Sequence, residues 1–121
     1  MMPAKLPTIP VESVPARLQR ELPGWVFEEG WIRRTFNTAG WPVTLMLVNA
    51  IAFLSEAAWH HPDLEVSHRA VGVKLRTHEA GGITERDLAL AREIDRLALW
   101  RPSHGSALEG TPGRWISAGR S

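Results

Sequence analysis

Four of the five histidines in this 121-residue chain fall within residues 59–78, "WHHPDLEVSHRAVGVKLRTH". His60 and His61 are adjacent and followed at once by Pro62, and His78 ends a run that alternates like a strand. Near neutral pH an imidazole accepts a proton and an imidazolium donates one. Two or three together meet the requirement of a dehydration: one protonates a departing hydroxyl while another removes a proton elsewhere. Carboxylates stand nearby, Glu56 one helical turn before His60 and Asp87 beyond His78. No metal is expected. Adjacent residues on an extended segment point apart, and no HxH or HxxxH spacing turns two imidazoles to one face. His104 reads as incidental, and His68 shares the parity of Leu64 and Val66, which makes it a core-facing candidate.

The elements that must carry these groups follow from pattern. Residues 1–15, with Pro3, Pro7, Pro10 and Pro15, read as a flexible lead. A short helix over 16–22 is stopped by Pro23-Gly24, and "WVFEEGWIRRTF" reads as a hairpin turning at "EEG". Pro42 opens a long helix, "WPVTLMLVNAIAFLSEAA", whose apolar residues cover nearly its whole circumference. Such a helix is buried on more than one side. One side faces this chain's sheet, and the other is expected to face a second copy, in a homodimer or dimer of dimers. Strands follow over "DLEVSH" and "AVGVKLRTH", the latter with Val71, Val73, Leu75 and Thr77 on one face and Gly72, Lys74, Arg76 and His78 on the other. "TERD", residues 84–87, is a capping box. Its helix runs to about Trp100 with Leu90, Ile94 and Leu97 inward. The chain from 103 to 121 reads as a flexible tail, which leaves 16–102 as the domain. The order α-β-β-α-β-β-α predicts an α+β fold, a four-stranded antiparallel sheet with helices packed on one face.

Composition narrows the function classes. With 44% hydrophobic residues the chain builds a core, and a formal net charge of +1 selects no partner by sign. The 14 basic residues are scattered, so direct contact with nucleic acid is not expected. The absence of cysteine excludes disulfides and thiolate metal sites. The apolar run "WPVTLMLVNAIAFL" is shorter than a bilayer span, so no membrane role is expected. The N-terminal segment lacks the apolar region of a secretory signal, which predicts a cytoplasmic protein.

The spaced set Glu56, His60-His61-Pro62, His78 and Asp87 resembles the motif of the pterin-4a-carbinolamine dehydratases, and "GW" at Gly24-Trp25 is similar to their pattern as well. The resemblance spans roughly residues 16–100. It departs at His68, where the family has an aromatic, and in the apolar segment "FNTAGWPVTLMLVNA". The resemblance implies loss of water from a 4a-hydroxytetrahydropterin to give the quinonoid dihydropterin. No cofactor is implied, since the pterin is the substrate. It implies His60, His61 and His78 as the catalytic set, with His60 and His78 as acids for the two faces of the pterin and His61 as base or orienting residue. Asp87 is expected to orient His78 or to serve as a cap, and Glu56 to orient an imidazole or to be a solvated helix residue. Trp25 is expected to wall a flat substrate by stacking or, as a Trp opening a strand, to belong to the core, Pro62 and His68 to border the site, and Trp59 to serve packing. Pterin-dehydratase-like proteins also include assembly factors for Rubisco, and animal members serve as dimerisation cofactors of a homeodomain transcription factor. A non-catalytic role with Rubisco as protein client therefore stands as the alternative.

Overall fold

The computed structural model describes residues 6–110 and 115–118. A 3₁₀ turn (Val11–Ser13) leads into α1 (Val14–Glu21), followed by β1 (Val26–Glu28), β2 (Trp31–Thr38), α2 (Trp41–Ala58), β3 (Asp63–Ser67), β4 (Ala70–Leu75), a 3₁₀ turn (His78–Ala80), α3 (Glu85–Ala98) and β5 (Ile116–Ala118). The fold is the expected α+β arrangement with one strand more. The antiparallel sheet runs β1-β2-β4-β3, and β5 also pairs with β2. β4 takes one edge of β2 along residues 32–37. The other edge is shared by β1, at Trp31–Arg33, and β5, at Phe36–Thr38.

Period-two alternation sets the faces. Ile32, Arg34, Phe36 and Thr38 of β2 are buried beneath the helices, and Ile32 and Phe36 lie opposite Leu75 and Val71 of β4. The β1–β2 hairpin turns through Glu29 (φ 54°) and Gly30 (φ 85°), two left-handed residues in succession, as a tight two-residue turn requires. α2 presents Thr44, Leu47, Ile51 and Ser55, spaced three or four apart, as its buried stripe. At 18 residues and a mean hydropathy of 1.4 this helix has the length and composition of a membrane span. Its buried stripe nevertheless packs on this chain's own sheet, and Leu47 and Ile51 belong to the core. On α3 the core side is Leu88, Leu90, Ala91, Ile94 and Ala98, and Leu97, expected inward, is partly exposed.

Described residues of the lead and of the tail make contacts with the domain. The Ile9 N–H donates to the Ile83 carbonyl (2.8 Å), and Ile9 packs on the core. In the tail, Ile116 also packs on the core, and its carbonyl accepts from Arg101 Nη2 (2.6 Å). Neither 6–15 nor 103–118 is thus wholly a free segment. The lead and tail expectations for residues 1–5, 111–114 and 119–121 lie outside the described residues.

Gly24 and Trp25 have a structural explanation. The Trp25 indole N–H donates to Asp95 Oδ1 (3.0 Å), and Arg34 Nη1 pairs with Asp95 Oδ2 (3.1 Å). Burial pushes the Asp95 carboxyl above its ordinary range, against the pull of the Trp25 N–H and the Arg34 guanidinium. A Cβ on Gly24 would run into Arg34 Cζ and Nη1. Gly24→Ala is therefore expected to displace a buried guanidinium from its carboxylate. The cost is about 2 kcal/mol, read as a melting temperature lower by about 10 °C. An unchanged melt would show that Arg34 has room to yield.

Candidate active site

The site begins at the end of α2. The helix closes on Trp59 in the left-handed conformation (φ 51°, ψ 45°), with the His60 N–H bonded to the Ser55 carbonyl (3.1 Å). Pro62 then holds His61 in extended backbone, so the two imidazoles diverge as expected of neighbours on such a segment. His60 is driven inward, only 7% exposed, whereas the His61 side chain remains 56% exposed.

The second segment follows β4. Thr77 is buried and His78 exposed, in agreement with their opposite parities. Thr77 is bridged to Gly82, and the short turn between them is closed by Gly81 at φ 76°. The third segment is the start of α3. Thr84 and Asp87 form the expected capping box, and Asp87 is fully buried.

A polar network joins the three segments. His60 Nε2–H donates to Asp87 Oδ1 (2.6 Å), while Asp87 Oδ2 accepts from the Thr77 hydroxyl (2.8 Å) and the Thr84 N–H (2.9 Å). With the Thr77 proton committed to Asp87, the Thr84 hydroxyl donates to Thr77 Oγ1 (2.8 Å) and accepts from the Arg86 N–H (3.2 Å). Three donors thus converge on a buried carboxylate, and that contact holds the His60 ring through Nε2. Nδ1 is the ring nitrogen left outside this network. Asp87 therefore orients His60, not His78 as expected. A caliper-like second tie lies at the surface: Arg86 Nη2 donates to the Trp59 carbonyl (2.6 Å), and Arg86 Nη1 lies 3.9 Å from Glu79. The segments bearing His60 and His78 are therefore bridged twice, once in the core and once at the rim.

Other candidates sort by position. His61 Nε2–H donates to Glu56 Oε1 (2.8 Å), so Glu56 does orient an imidazole, in a solvated pair of modest strength. His78 packs edge-on against Trp31, with ring centroids 5.5 Å apart, and Lys74 Nζ covers the Trp31 ring at 4.6 Å. Trp25, only 2% exposed, has no face to offer a substrate and belongs to the core. His68 lies exposed in the β3–β4 turn, not on a core-facing strand position. β4 alone separates that turn from His78 by roughly 15–20 Å, so His68 is not brought to the cluster. Sequence reading missed Thr77, Arg86 and Trp31. Thr77 and Arg86 flank nominated residues and were the more discoverable; Trp31 is 47 positions from His78 and only the sheet brings it there.

Space for a ligand is present. His60 lines an open depression of about 400 Å³ with Leu54, Ala57, Ala58, Arg86 and Leu90. A larger cavity, about 500 Å³, lies at the far end of α3 beside Trp100 and Trp115 and is lined by no histidine.

Residues 7–97 match the family model described as Pterin 4 alpha carbinolamine dehydratase. A protein of Aquifex aeolicus, provisionally named a pterin-4-alpha-carbinolamine dehydratase, is 57% identical over 86 residues, covering 71% of this chain and 86% of its own. One of Chloroflexus aurantiacus with the same provisional name is 47% identical over 75 residues, covering 62% of this chain and 81% of its own. Among solved structures, a transcriptional coactivator/pterin dehydratase from Brucella melitensis superposes with a TM-score of 0.69 at 26% identity, covering 75% of this chain and 98% of that one. A pterin dehydratase-like protein described as a RuBisCO assembly factor in the alpha-carboxysome superposes at 0.52 with 23% identity, a likeness of fold alone, over 61% of this chain and 86% of that one. With a family match that spans all three segments of the histidine site, the chain belongs to the pterin-4a-carbinolamine dehydratase family.

Proposed function

We propose that this protein dehydrates a 4a-hydroxytetrahydropterin by histidine acid/base catalysis. The observation that carries the reading is the buried His60–Asp87 pair, fixed by Thr77 and Thr84 and bridged to the segment of His78. In the reaction the C4a–O bond breaks, and the departing hydroxyl takes a proton from an imidazolium and leaves as water. The N5–H bond then gives its electron pair to a new N5=C4a double bond, and the N5 proton passes to a neutral imidazole. His60 and His78 serve as the acids for the two faces, and His61, steadied by Glu56, as base or orienting group. Asp87 holds the His60 ring through Nε2, which leaves Nδ1 for proton transfer with the substrate. The reaction needs no cofactor, and a cytoplasmic setting belongs to the proposal. The direct test is the rate of 4a-hydroxytetrahydropterin dehydration with the full chain. A rate no higher than the uncatalysed one would refute the proposal.

Thr77 is a positioning residue in this scheme. Thr77→Val is expected to lower kcat about 5–10-fold, the equivalent of one hydrogen bond, and to shift the pH–rate profile, while Thr77→Ser restores both. A stability change without a shift of the pH profile would reduce Thr77 to a structural role.

The outer stripe of α2, with Leu45, Met46 and Phe53 exposed, supports self-association into a homodimer or dimer of dimers. The same stripe favours a second reading, a non-catalytic assembly factor with Rubisco as client. A folded protein that binds Rubisco subunits but does not accelerate dehydration would decide for it.

A further inference from the structure

Resting on the dehydratase reading of the histidine site, we propose that Trp31 is a positioning residue of that site: its indole sets the angle of the His78 imidazole, the part that a carboxylate plays for each of the other two. His60 is held by Asp87 and His61 by Glu56, each through Nε2. His78 is exposed, and among the described residues no side chain hydrogen-bonds its ring. What it meets instead is the Trp31 ring, with 5.5 Å between centroids and 79° between planes. An edge-to-face contact at this separation is a preferred aromatic geometry. It restricts rotation of the imidazole while engaging neither ring nitrogen in a hydrogen bond.

The sheet puts the two rings together. β2 and β4 are antiparallel with Ile32 opposite Leu75, and Thr77 continues the line of β4 in extended backbone (φ −97°, ψ 98°). One step past that pair Trp31 falls opposite Arg76, with Lys74 and His78 as its diagonal neighbours on the outward face, within reach of an aromatic side chain. Both diagonal contacts are made: Lys74 Nζ lies over the Trp31 ring at 4.6 Å, and His78 meets the same ring. Asp63 stands opposite Lys74 in register, yet the ammonium goes to the indole, which a cation–π contact thereby steadies. Arg76 sends its guanidinium to the β1–β2 turn, where Nη1 stands 3.2 Å from the point a Gly30 Cβ would occupy. Trp31 opens β2 directly after that turn, and its backbone is fixed by pairing with Glu28. The tryptophans nearest the other histidine segment are placed differently: Trp25 is buried with its N–H on Asp95, and Trp59, expected to serve packing, is 83% exposed.

The experiment compares wild type, Trp31→Leu, Trp31→Phe and Lys74→Met as full chains in three measurements. These are thermal melts, the NMR ring-proton resonances of His78 assigned against His78→Ala, and dehydration kinetics on each C4a stereoisomer of 4a-hydroxytetrahydropterin. In wild type the indole ring current displaces the His78 resonances, and in Trp31→Leu they return toward those of a solvated imidazole. Trp31→Leu is expected to lower kcat about tenfold on the stereoisomer that His78→Ala harms most, with KM and the other stereoisomer changed less than about twofold. Trp31→Phe, which restores a flat ring, is expected to keep kcat within about threefold of wild type. Lys74→Met removes the cation from the indole and leaves the core untouched. It is expected to lower kcat about threefold on the same stereoisomer, which keeps the proposal testable if leucine at position 31 does not fold. A structural role alone would move the melting temperature and both stereoisomers together. That result overturns the proposal, as do His78 resonances that stay in place or a kcat that stays unchanged when they move. If wild type itself does not dehydrate the carbinolamine while the resonances still respond, the dehydratase reading falls and the positioning role with it, and the contact stands as packing.

Discussion

His60→Ala is expected to lower the rate of carbinolamine dehydration by about 10²–10⁴-fold, the loss that follows removal of one well-placed acid or base. The argument rests on burial and connectivity. His60 is the one imidazole whose partner, Asp87, is itself fully buried and held by two further donors. His78→Ala is expected to lose comparably, with each single change harming mainly one C4a stereoisomer and the double change far worse on both. His61→Ala is expected to lose less, because both His61 and Glu56 lie in solvent. Alanine at 60 also leaves the Asp87 carboxylate short of a donor, at about 1–3 kcal/mol of stability. The assay therefore belongs at a temperature where thermal melts show the variant folded. A folded His60→Ala protein with wild-type turnover on both stereoisomers would remove His60 from the chemistry.

Charge reversal of environment on α2 gives the second large effect, and the two sides of the helix separate it. The all-round apolar pattern does not separate inward from outward residues; Leu47 is buried against the sheet at 1% exposure. Leu47→Glu would place a carboxylate in the core, at a cost of more than about 4 kcal/mol, and is expected to give no soluble folded protein. Phe53 is 73% exposed. Phe53→Glu is expected to keep the fold and its melt while lowering the mass measured by light scattering toward the 13.5 kDa of a single chain. Wild-type protein already at that mass at micromolar concentration would show that the stripe has another use.

The contrast between Leu47 and Phe53 shows where sequence reading ran out. A helix apolar all round announces that it has two covered sides, but its periodicity does not say which residues take which side. The strands were legible because alternation has a period of two and a register that turns fix: Thr77 inward and His78 outward followed directly. The capping box was legible because it is local. The partner of Asp87 was not, because the His60 contact spans 27 residues and depends on how α2 ends. Trp25 read as a substrate wall or a core residue and Gly24 only as part of the family's pattern, whereas the structure sets both against the Arg34–Asp95 pair. His68 was misjudged for a smaller reason: β3 ends at Ser67, so the alternation that placed His68 with Leu64 and Val66 stops one residue short of it. β5 escaped because a three-residue strand in a glycine- and serine-rich stretch carries no period at all.

Asp87 caps α3 with one oxygen and holds His60 with the other. A single carboxylate thus joins the start of α3 to the end of α2. Whatever breaks the His60 contact alters the acceptor felt by the Thr84 amide, so the hydrogen-exchange rate of that amide reports on the contact. The converse holds as well. Fraying of the first turn of α3 withdraws the carboxylate from His60, so the contact is lost by local opening before the sheet is disturbed. The integrity of the histidine cluster is in this sense a property of one helix terminus.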